Sequence, residues 1–408
     1  MPAAEMTKRT RGNHTAKPGV QITKRNDPAH SCHRKDLFMY IHRKIASFLH
    51  TCKYCLALPA AFVLAACAPS PSDLIHVFSY GAGSMPNTLE DTAGLLPSHV
   101  QAAQSSDQIS EVGFYFDTVI QITLNGTQDE SILKECFALM SDYENMLSRT
   151  RENSDVWNIN HSNGAPTKVC EDTAELLKLA LHYSELSDGA FDVTIAPVSI
   201  LWDFQGEEPH QIPSDEALAE ALSHVDYRQV ELDGTTVTLK DPDMSIDLGG
   251  IAKGYIADRI RGLLIERGVP SGFIDLGGNI LAFGEKPNKT PWKIGIRKPF
   301  GTATELIATV TGPGRSVVTS GTYERYFELD GTLYHHILNP SDGYPVENGL
   351  YSVTILSESS ADGDALSTTC FSLGLEKGME LIESLENIEA MFITDDLKLH
   401  RSSGFPGE

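Results

Sequence analysis

The chain has 408 residues, 41% of them hydrophobic, with 32 Lys and Arg against 55 Asp and Glu, a formal net charge of −23. That length allows a sizeable buried core, and the acidity excludes binding along a nucleic-acid backbone, which needs a basic surface. The charge is uneven: residues 1–66 hold 11 basic and 3 acidic residues, so the rest carries 21 and 52, a net of −31.

Residues 1–66 read as a leader. Met39 opens a conventional signal, MYIHRK, whereas the basic, apolar-poor residues 1–38 are superfluous to it, so Met39 is the expected start. Basic Arg43, Lys44 and Lys53 precede an apolar stretch from Leu56 that contains Pro59. Its eleven residues are too few for a bilayer, which takes roughly 20, but suit the core of a signal peptide. Leu64-Ala65-Ala66-Cys67 resembles a bacterial lipobox, and the polar APSPSD follows at once. The alternative is a short buried segment with an ordinary cysteine. Residues 67–111, rich in Ser, Pro, Gly and Gln, read as a lipidated Cys67 and a flexible tether, and 112–408 as the folded domain. Cys136, Cys170 and Cys370 remain in that domain, with neither the even spacing of a disulfide framework nor a zinc pattern.

In the domain a strand is expected at 114–124, then helices at 128–149 and 171–186. A DGAF turn leads into VTIAPV and LWDF, and Ser214, just after Pro213, is placed to cap a helix running to His224. Residues 244–259 read MSIDLGGIAKGYIADR: a short β-type run, a glycine pair, and an amphipathic helix with Ile256, Ile260, Leu263 and Leu264 on one face. Strands alternate with Gly, Pro and Asp turns over 272–338, as in an antiparallel sheet. Helices return at 362–373 and 376–385, and two short strands finish the chain. Strands and helices without a steady βαβ rhythm predict an α+β fold.

Two stretches carry candidate chemistry. In DLGG, paired glycines permit a tight turn and close approach of a ligand, and the following helix start offers N–H groups and a positive dipole end to a phosphate, with Lys253 in its first turn. The motif echoes as IDLGG at 274–278, which fits two similar strand ends better than a duplication. Residues 319–374 combine a histidine pair, a Pro/Gly turn, and Asp364 and Thr368 four residues apart, hence on one helix face. A carboxylate and a hydroxyl there suit Mg²⁺, which takes few protein oxygens. The structural alternative is an Asp near a helix start and a Thr bonding back within the helix. In a strand His335 and His336 face opposite sides, so only one reaches a common site.

Together these segments resemble the FAD:protein FMN transferases, the ApbE-like family, from about Gly113 to the C-terminus. The landmarks occur in family order: FDTVIQITL, LSRTRENSDVWNIN, SDGAFDVTIAPVSILWDF, DLGGIAKGYIAD, IDLGGNI, TSGTYERYF, HILNPSDGYPV and DALSTTCFSLG. The resemblance implies a two-lobed fold with mixed or antiparallel sheets and FAD in the cleft between the lobes. It implies FAD contacts from Phe116, Thr150, Ala190, Phe191, Asp192, Asp247, Lys253 and Leu338, several through backbone groups. Phe116 stands where Met is frequent, and Thr150 where many relatives have Tyr. Mg²⁺ would take the Gly250 carbonyl and the side chains of Asp364 and Thr368, with Asp362 a nearby second carboxylate. Asn339 replaces a frequent Asp.

The implied reaction is Mg²⁺-dependent transfer of FMN from FAD to a Ser or Thr hydroxyl of a partner, with release of AMP and with His336 as general base. The acceptors would be flavoprotein subunits carrying a motif resembling S/T-G-A-S/T, which this chain lacks. The expected location is the bacterial cell membrane, lipid-anchored on its extracytoplasmic face. An FAD pyrophosphatase yielding FMN and AMP, and a non-catalytic FAD-binding lipoprotein, are the alternatives.

Overall fold

The structure, a computed structural model, describes residues 107–206 and 209–406. The leader, Cys67 and the tether as far as residue 106 lie outside the described residues. Among the described residues no helix is long and apolar enough to cross a membrane.

The single strand expected at 114–124 is a hairpin. β1 (Gln108–Tyr115) and β2 (Thr118–Asn125) pair antiparallel, with Tyr115 opposite Thr118, so pairing begins within the stretch read as tether. Phe116 and Asp117 form its two-residue turn with φ of 52° and 57°, the positive values that suit the twist of a tight hairpin. Phe-Asp does not signal such a turn as Asn-Gly would. The strained tip is held by Glu144 Oε1, which accepts the Phe116 N–H at 2.9 Å.

Helix α1 (Glu130–Leu147) starts at Asp129, whose carboxylate accepts the Ser131 N–H, and α2 (Asp155–Asn160) starts at Ser154, whose hydroxyl accepts from Trp157. β3 (Thr167–Lys168), α3 (Glu171–Leu186) and α4 (Ala196–Trp202) follow. Ser214 caps α5 (Asp215–Leu222) through the Ala217 N–H, as expected. β4 (Val230–Asp233) and β5 (Thr236–Leu239) complete a small sheet in the order β3-β5-β4.

The run at 244–248 forms no strand. Asn160 brackets Ile246 instead, accepting its N–H at 2.8 Å and donating to its carbonyl at 2.9 Å, while the Asp247 N–H donates to the Val193 carbonyl at 2.8 Å. Its backbone groups are thus satisfied without a sheet partner.

After α6 (Ala252–Glu266) come β6 (Ser271–Leu276), β7 (Asn279–Gly284), β8 (Trp292–Arg297), β9 (Leu306–Gly312), β10 (Ser316–Gly321), β11 (Tyr326–Leu329), β12 (Thr332–His335) and β13 (Leu350–Ser357). The long α7 (Ser360–Glu383) bends at Gly374, whose φ of 80° and ψ of 176° are non-helical, and so covers both helices expected there. β14 (Glu389–Thr394) and β15 (Leu399–Arg401) end the chain. One eight-stranded sheet runs β1-β2-β6-β7-β10-β13-β14-β15, and every neighbouring pair in it is antiparallel. β8 and β9 form their own pair, as do β11 and β12. The α+β expectation and its antiparallel sheet hold.

Both faces of the sheet's middle are buried, so its strands are apolar at successive positions. Leu281 and Phe283 of β7 and Phe392 of β14 face the core built with α1, α3, α6 and α7. Their alternates Ile280, Ala282, Met391 and Ile393 meet Trp292, Ile294 and Val310 of the β8–β9 pair. The site depends on how α6 and α7 pack on the first face. A Cβ at Gly254 would lie 2.0 Å from the Ser360 carbonyl oxygen, so the helices meet backbone to backbone.

Gly254→Ala is expected to force them apart and cost about 1–3 kcal/mol or more, seen as a fall in urea midpoint; an unchanged midpoint would contradict this packing. A second prediction concerns His224, whose Nδ1 lies 2.6 Å from Asp241 Oδ2. The hydrogen bond from His224 holds Asp241 below the usual carboxylate range, and the bond to Asp241 raises His224 above the usual imidazole value. The pair therefore stabilises the fold between the ordinary values of about 4 and about 6.5. The contribution fades as pH falls through the Asp241 value or rises through the raised His224 value. The urea-midpoint gap between wild type and His224→Gln should be largest near pH ~6 and close at alkaline pH; a gap independent of pH would refute the pairing.

Candidate functional site

Asp364 stands on the second turn of α7 and is buried. Its Oδ2 accepts the Gly254 N–H at 2.8 Å, and its Oδ1 lies 3.8 Å from Lys253 Nζ. Gly254 is the third residue of α6, so its N–H is one of the first-turn donors that a helix leaves without an intrahelical acceptor, and the Asp364 carboxylate caps it. Thr368, one turn beyond Asp364, has its Oγ1 3.8 Å from where a Cβ on Gly250 would stand. The structure thus brings Gly250, Asp364 and Thr368 together as hard oxygen donors around Lys253. Such a donor set fits Mg²⁺ and has none of the nitrogen or sulfur that zinc prefers. Asp362 is turned away, accepting from the Tyr183 hydroxyl at 2.8 Å.

Several of the N–H groups at the helix start expected to meet a phosphate are taken within the protein. The N–H groups of Ile251 and Ala252 return to the Leu248 carbonyl, that of Gly249 goes to Asp247 Oδ1 at 2.8 Å, and that of Gly254 goes to Asp364. The N–H groups of Gly250 and Lys253 are not among those taken, and with the Lys253 side chain they remain for an anion. Neither Gly249 nor Gly250 has a positive φ. Gly250 serves close packing, since a Cβ there would come within 3.0 Å of the Phe191 ring.

The other expected contacts converge on Asp247. Asp192 Oδ1 accepts from both the Thr194 N–H and hydroxyl, and its Oδ2 accepts the Tyr227 N–H. Burial pushes this carboxyl up from its ordinary value against the pull of those bonds. Its side chain therefore folds the loop of Ala190 and Phe191, and the same loop's Val193 carbonyl anchors Asp247. Arg149 Nε lies 3.3 Å from Asp247 Oδ2, so the loop holding Thr150 comes to the same place. Thr150 itself is turned onto Ser148, with its hydroxyl and its N–H each 3.2 Å from Ser148 Oγ. Glu144, which holds Phe116, also pairs with Arg151, joining the hairpin tip to this loop. Leu338 is buried with Trp202, Phe204 and Phe327 in a separate apolar cluster. Its side chain faces that cluster, and Asn339 beside it closes a turn by accepting from Ser341.

His335 is the last residue of β12, and His336 follows it. His335 is buried, receives the Ile337 N–H on Nδ1 and donates from Nε2 to the Val346 carbonyl; burial pushes it down to about 4. His336 Nδ1 lies 3.2 Å from the Arg325 carbonyl. A carbonyl only accepts, so Nδ1 carries the hydrogen and Nε2 keeps its lone pair. Burial, with Arg325, His335 and Lys253 nearby, pushes His336 down to about 3. It is a neutral acceptor at physiological pH.

Sequence reasoning missed several supports. Ser320 Oγ lies 2.7 Å from Ser367 Oγ and 3.3 Å from Thr368 Oγ1, tying β10 to the helix of Asp364 and Thr368. Burial pushes Glu324 up to about 7 against the pull of Lys253, Arg297 and Arg325, with Asp364 adding to the rise. Both residues lie in TSGTYERYF, whose density of hydroxyls and charges beside a strand end was the available signal. Elsewhere among the described residues, His224, Asp241 and Asp243 approach one another, but the 2.6 Å contact between the first two is a hydrogen-bonded pair with no room for an ion between them.

Residues 116–392 match the ApbE family. The chain is 42% identical over 280 residues to the FAD:protein FMN transferase of Klebsiella pneumoniae (strain 342), covering 68% of this chain and 86% of that one. It is 39% identical over 288 residues to the protein of the same name from Treponema pallidum (strain Nichols), covering 67% and 79%. Among solved structures it resembles the ApbE protein of Thermotoga maritima, with a TM-score of 0.68, 34% identity, and 72% and 97% of the two chains covered. It also resembles the flavin transferase ApbE of Vibrio cholerae, with a TM-score of 0.66 and 27% identity over 73% and 98%. On this similarity across the whole described domain, the chain belongs to the ApbE family.

Proposed function

We propose that the chain transfers FMN from FAD to a Ser or Thr hydroxyl of a partner flavoprotein and releases AMP, with Mg²⁺ held by the Gly250 carbonyl, Asp364 and Thr368. The observation that carries this reading is the approach of α7 to the glycine turn: the Gly254 N–H fixes Asp364 Oδ2 at 2.8 Å, and Thr368 Oγ1, one turn on, lies 3.8 Å from where a Cβ on Gly250 would stand. The ion, when bound, supplies charge neutralisation to the pyrophosphate.

The protein's part in the reaction is positioning and proton transfer. The loops joined at Asp247 would hold FAD between two lobes, and Lys253 would face its phosphates. The acceptor hydroxyl oxygen bonds to the phosphorus on the riboflavin side, the bond from that phosphorus to the bridging oxygen breaks, and AMP departs with that oxygen. The hydroxyl proton goes to His336 Nε2. The bond from Nδ1 to the Arg325 carbonyl keeps the ring in the tautomer that can take it. The acceptor is proposed to present a motif resembling S/T-G-A-S/T. Cys67, on the strength of its lipobox, would bear the lipid that holds the domain at the extracytoplasmic face of the membrane.

Incubation with FAD, Mg²⁺ and an acceptor carrying that motif should add one FMN to the acceptor by intact mass; free FMN and AMP instead would identify a pyrophosphatase, and intact FAD a binder. Asp364→Asn, which keeps an acceptor oxygen for Gly254, should raise the Mg²⁺ requirement and suppress turnover. His336→Ala should retain FAD and Mg²⁺ binding yet lose about 10²–10⁴-fold in rate. A His336→Ala enzyme at full rate would reject the base assignment. Separately, Cys67→Ser should move the protein from the membrane to the soluble fraction, and unchanged fractionation would refute the anchor.

A further inference from the structure

Arg149 occupies a position that neither the motifs nor the metal donor set assigns. It lies two residues beyond the end of α1, and its Nε is 3.3 Å from Asp247 Oδ2. The other oxygen, Oδ1, is taken by the Gly249 N–H, so the carboxylate is held from both sides. Contact through Nε leaves the terminal Nη pair, the two-pronged end of the guanidinium, with no partner among the described residues. About a third of the side chain is exposed, 31%, so the donors meet solvent at the face where the glycine turn, Lys253 and Asp247 converge. A planar fork with two aligned N–H groups suits a phosphate or a ring edge with two acceptors, and its face stacks on aromatic rings.

The adjacent residue cannot do this work. Thr150 is short, and both its hydroxyl and its N–H are turned back onto Ser148. Arg151, the next residue, is committed to Glu144 and Asn145. Of the three consecutive residues, Arg149 alone presents polar groups toward Asp247.

We propose that Arg149 contacts the dinucleotide substrate directly, its guanidinium supplying the flat, donor-bearing surface beside Asp247 and so contributing to selection of FAD. The inference rests on the FAD-binding reading above. Equilibrium titration with FAD and Mg²⁺ tests it. Arg149→Ala should weaken FAD binding by about tenfold or more, the loss expected for a charge-assisted hydrogen bond. Arg149→Lys, which keeps the charge but not the fork, should recover only part of it. Both should retain the wild-type urea midpoint, because the ion pair is partly exposed and contributes little to folding.

A role confined to holding Asp247 predicts a different pattern. In an Asp247→Asn background Arg149→Ala would then have no further effect, whereas direct contact gives a further loss. Wild-type affinity in Arg149→Ala, or no further loss in the Asp247→Asn background, overturns the inference and leaves the transferase reading intact. Failure of the wild-type protein to bind FAD at all overturns the reading itself.

Discussion

Everything at the site depends on one steric constraint, the backbone contact between α6 and α7 at Gly254. With a Cβ position only 2.0 Å from the Ser360 carbonyl oxygen, no other residue lets the second helix come so close. At that separation Asp364, one turn along α7, reaches into the first turn of α6 and accepts its N–H. Capping of one helix by another's carboxylate, normally a local device at an N-terminus, here joins segments 110 residues apart.

The helices are held in that approach by small polar side chains under α7. Ser360 accepts from Ser316 at 3.0 Å and donates to Asn279 at 2.7 Å, and Ser320 meets Ser367 and Thr368. Each hydroxyl bonds sideways into the sheet, so the helix is fixed in rotation as well as in distance. Apolar packing alone would tolerate rotation, which would carry Asp364 and Thr368 off the face they share. The kink at Gly374 lies beyond these contacts, so Asp364 and Thr368 sit on the straight, anchored half of α7.

What the sequence made legible follows from locality. Asp364 and Thr368 could be placed on one face because four residues is a helical step. The cap at Ser214 and the span of α3 were readable for the same reason. Phe116 was not readable as a turn, because its positive φ is imposed by tertiary contact with Glu144 and not by turn chemistry. The supposed strand before DLGG failed likewise: Asn160, some 86 residues away, supplies the bonds a neighbouring strand would have given. Which N–H groups of the helix start remain available depends on Asp247 and Asp364, whose reach no local pattern reports.

The charge of the domain gives these details their direction. Residues 112–408, with 21 basic and 47 acidic residues and a net charge of −26, repel an anion at long range, so an anionic ligand depends on cations concentrated at short range. Lys253 and Arg149 stand at the two ends of the DLGG turn, each facing a carboxylate that orients it: Asp364 for the lysine at 3.8 Å, Asp247 for the arginine at 3.3 Å. Those contacts are long for ion pairs and form no hydrogen bond between the side chains. The cations are thus placed but not spent, and their remaining donors can be satisfied by an anion entering between them. Cations held in place by neighbouring carboxylates offset locally the repulsion that the rest of an acidic surface exerts on an anion.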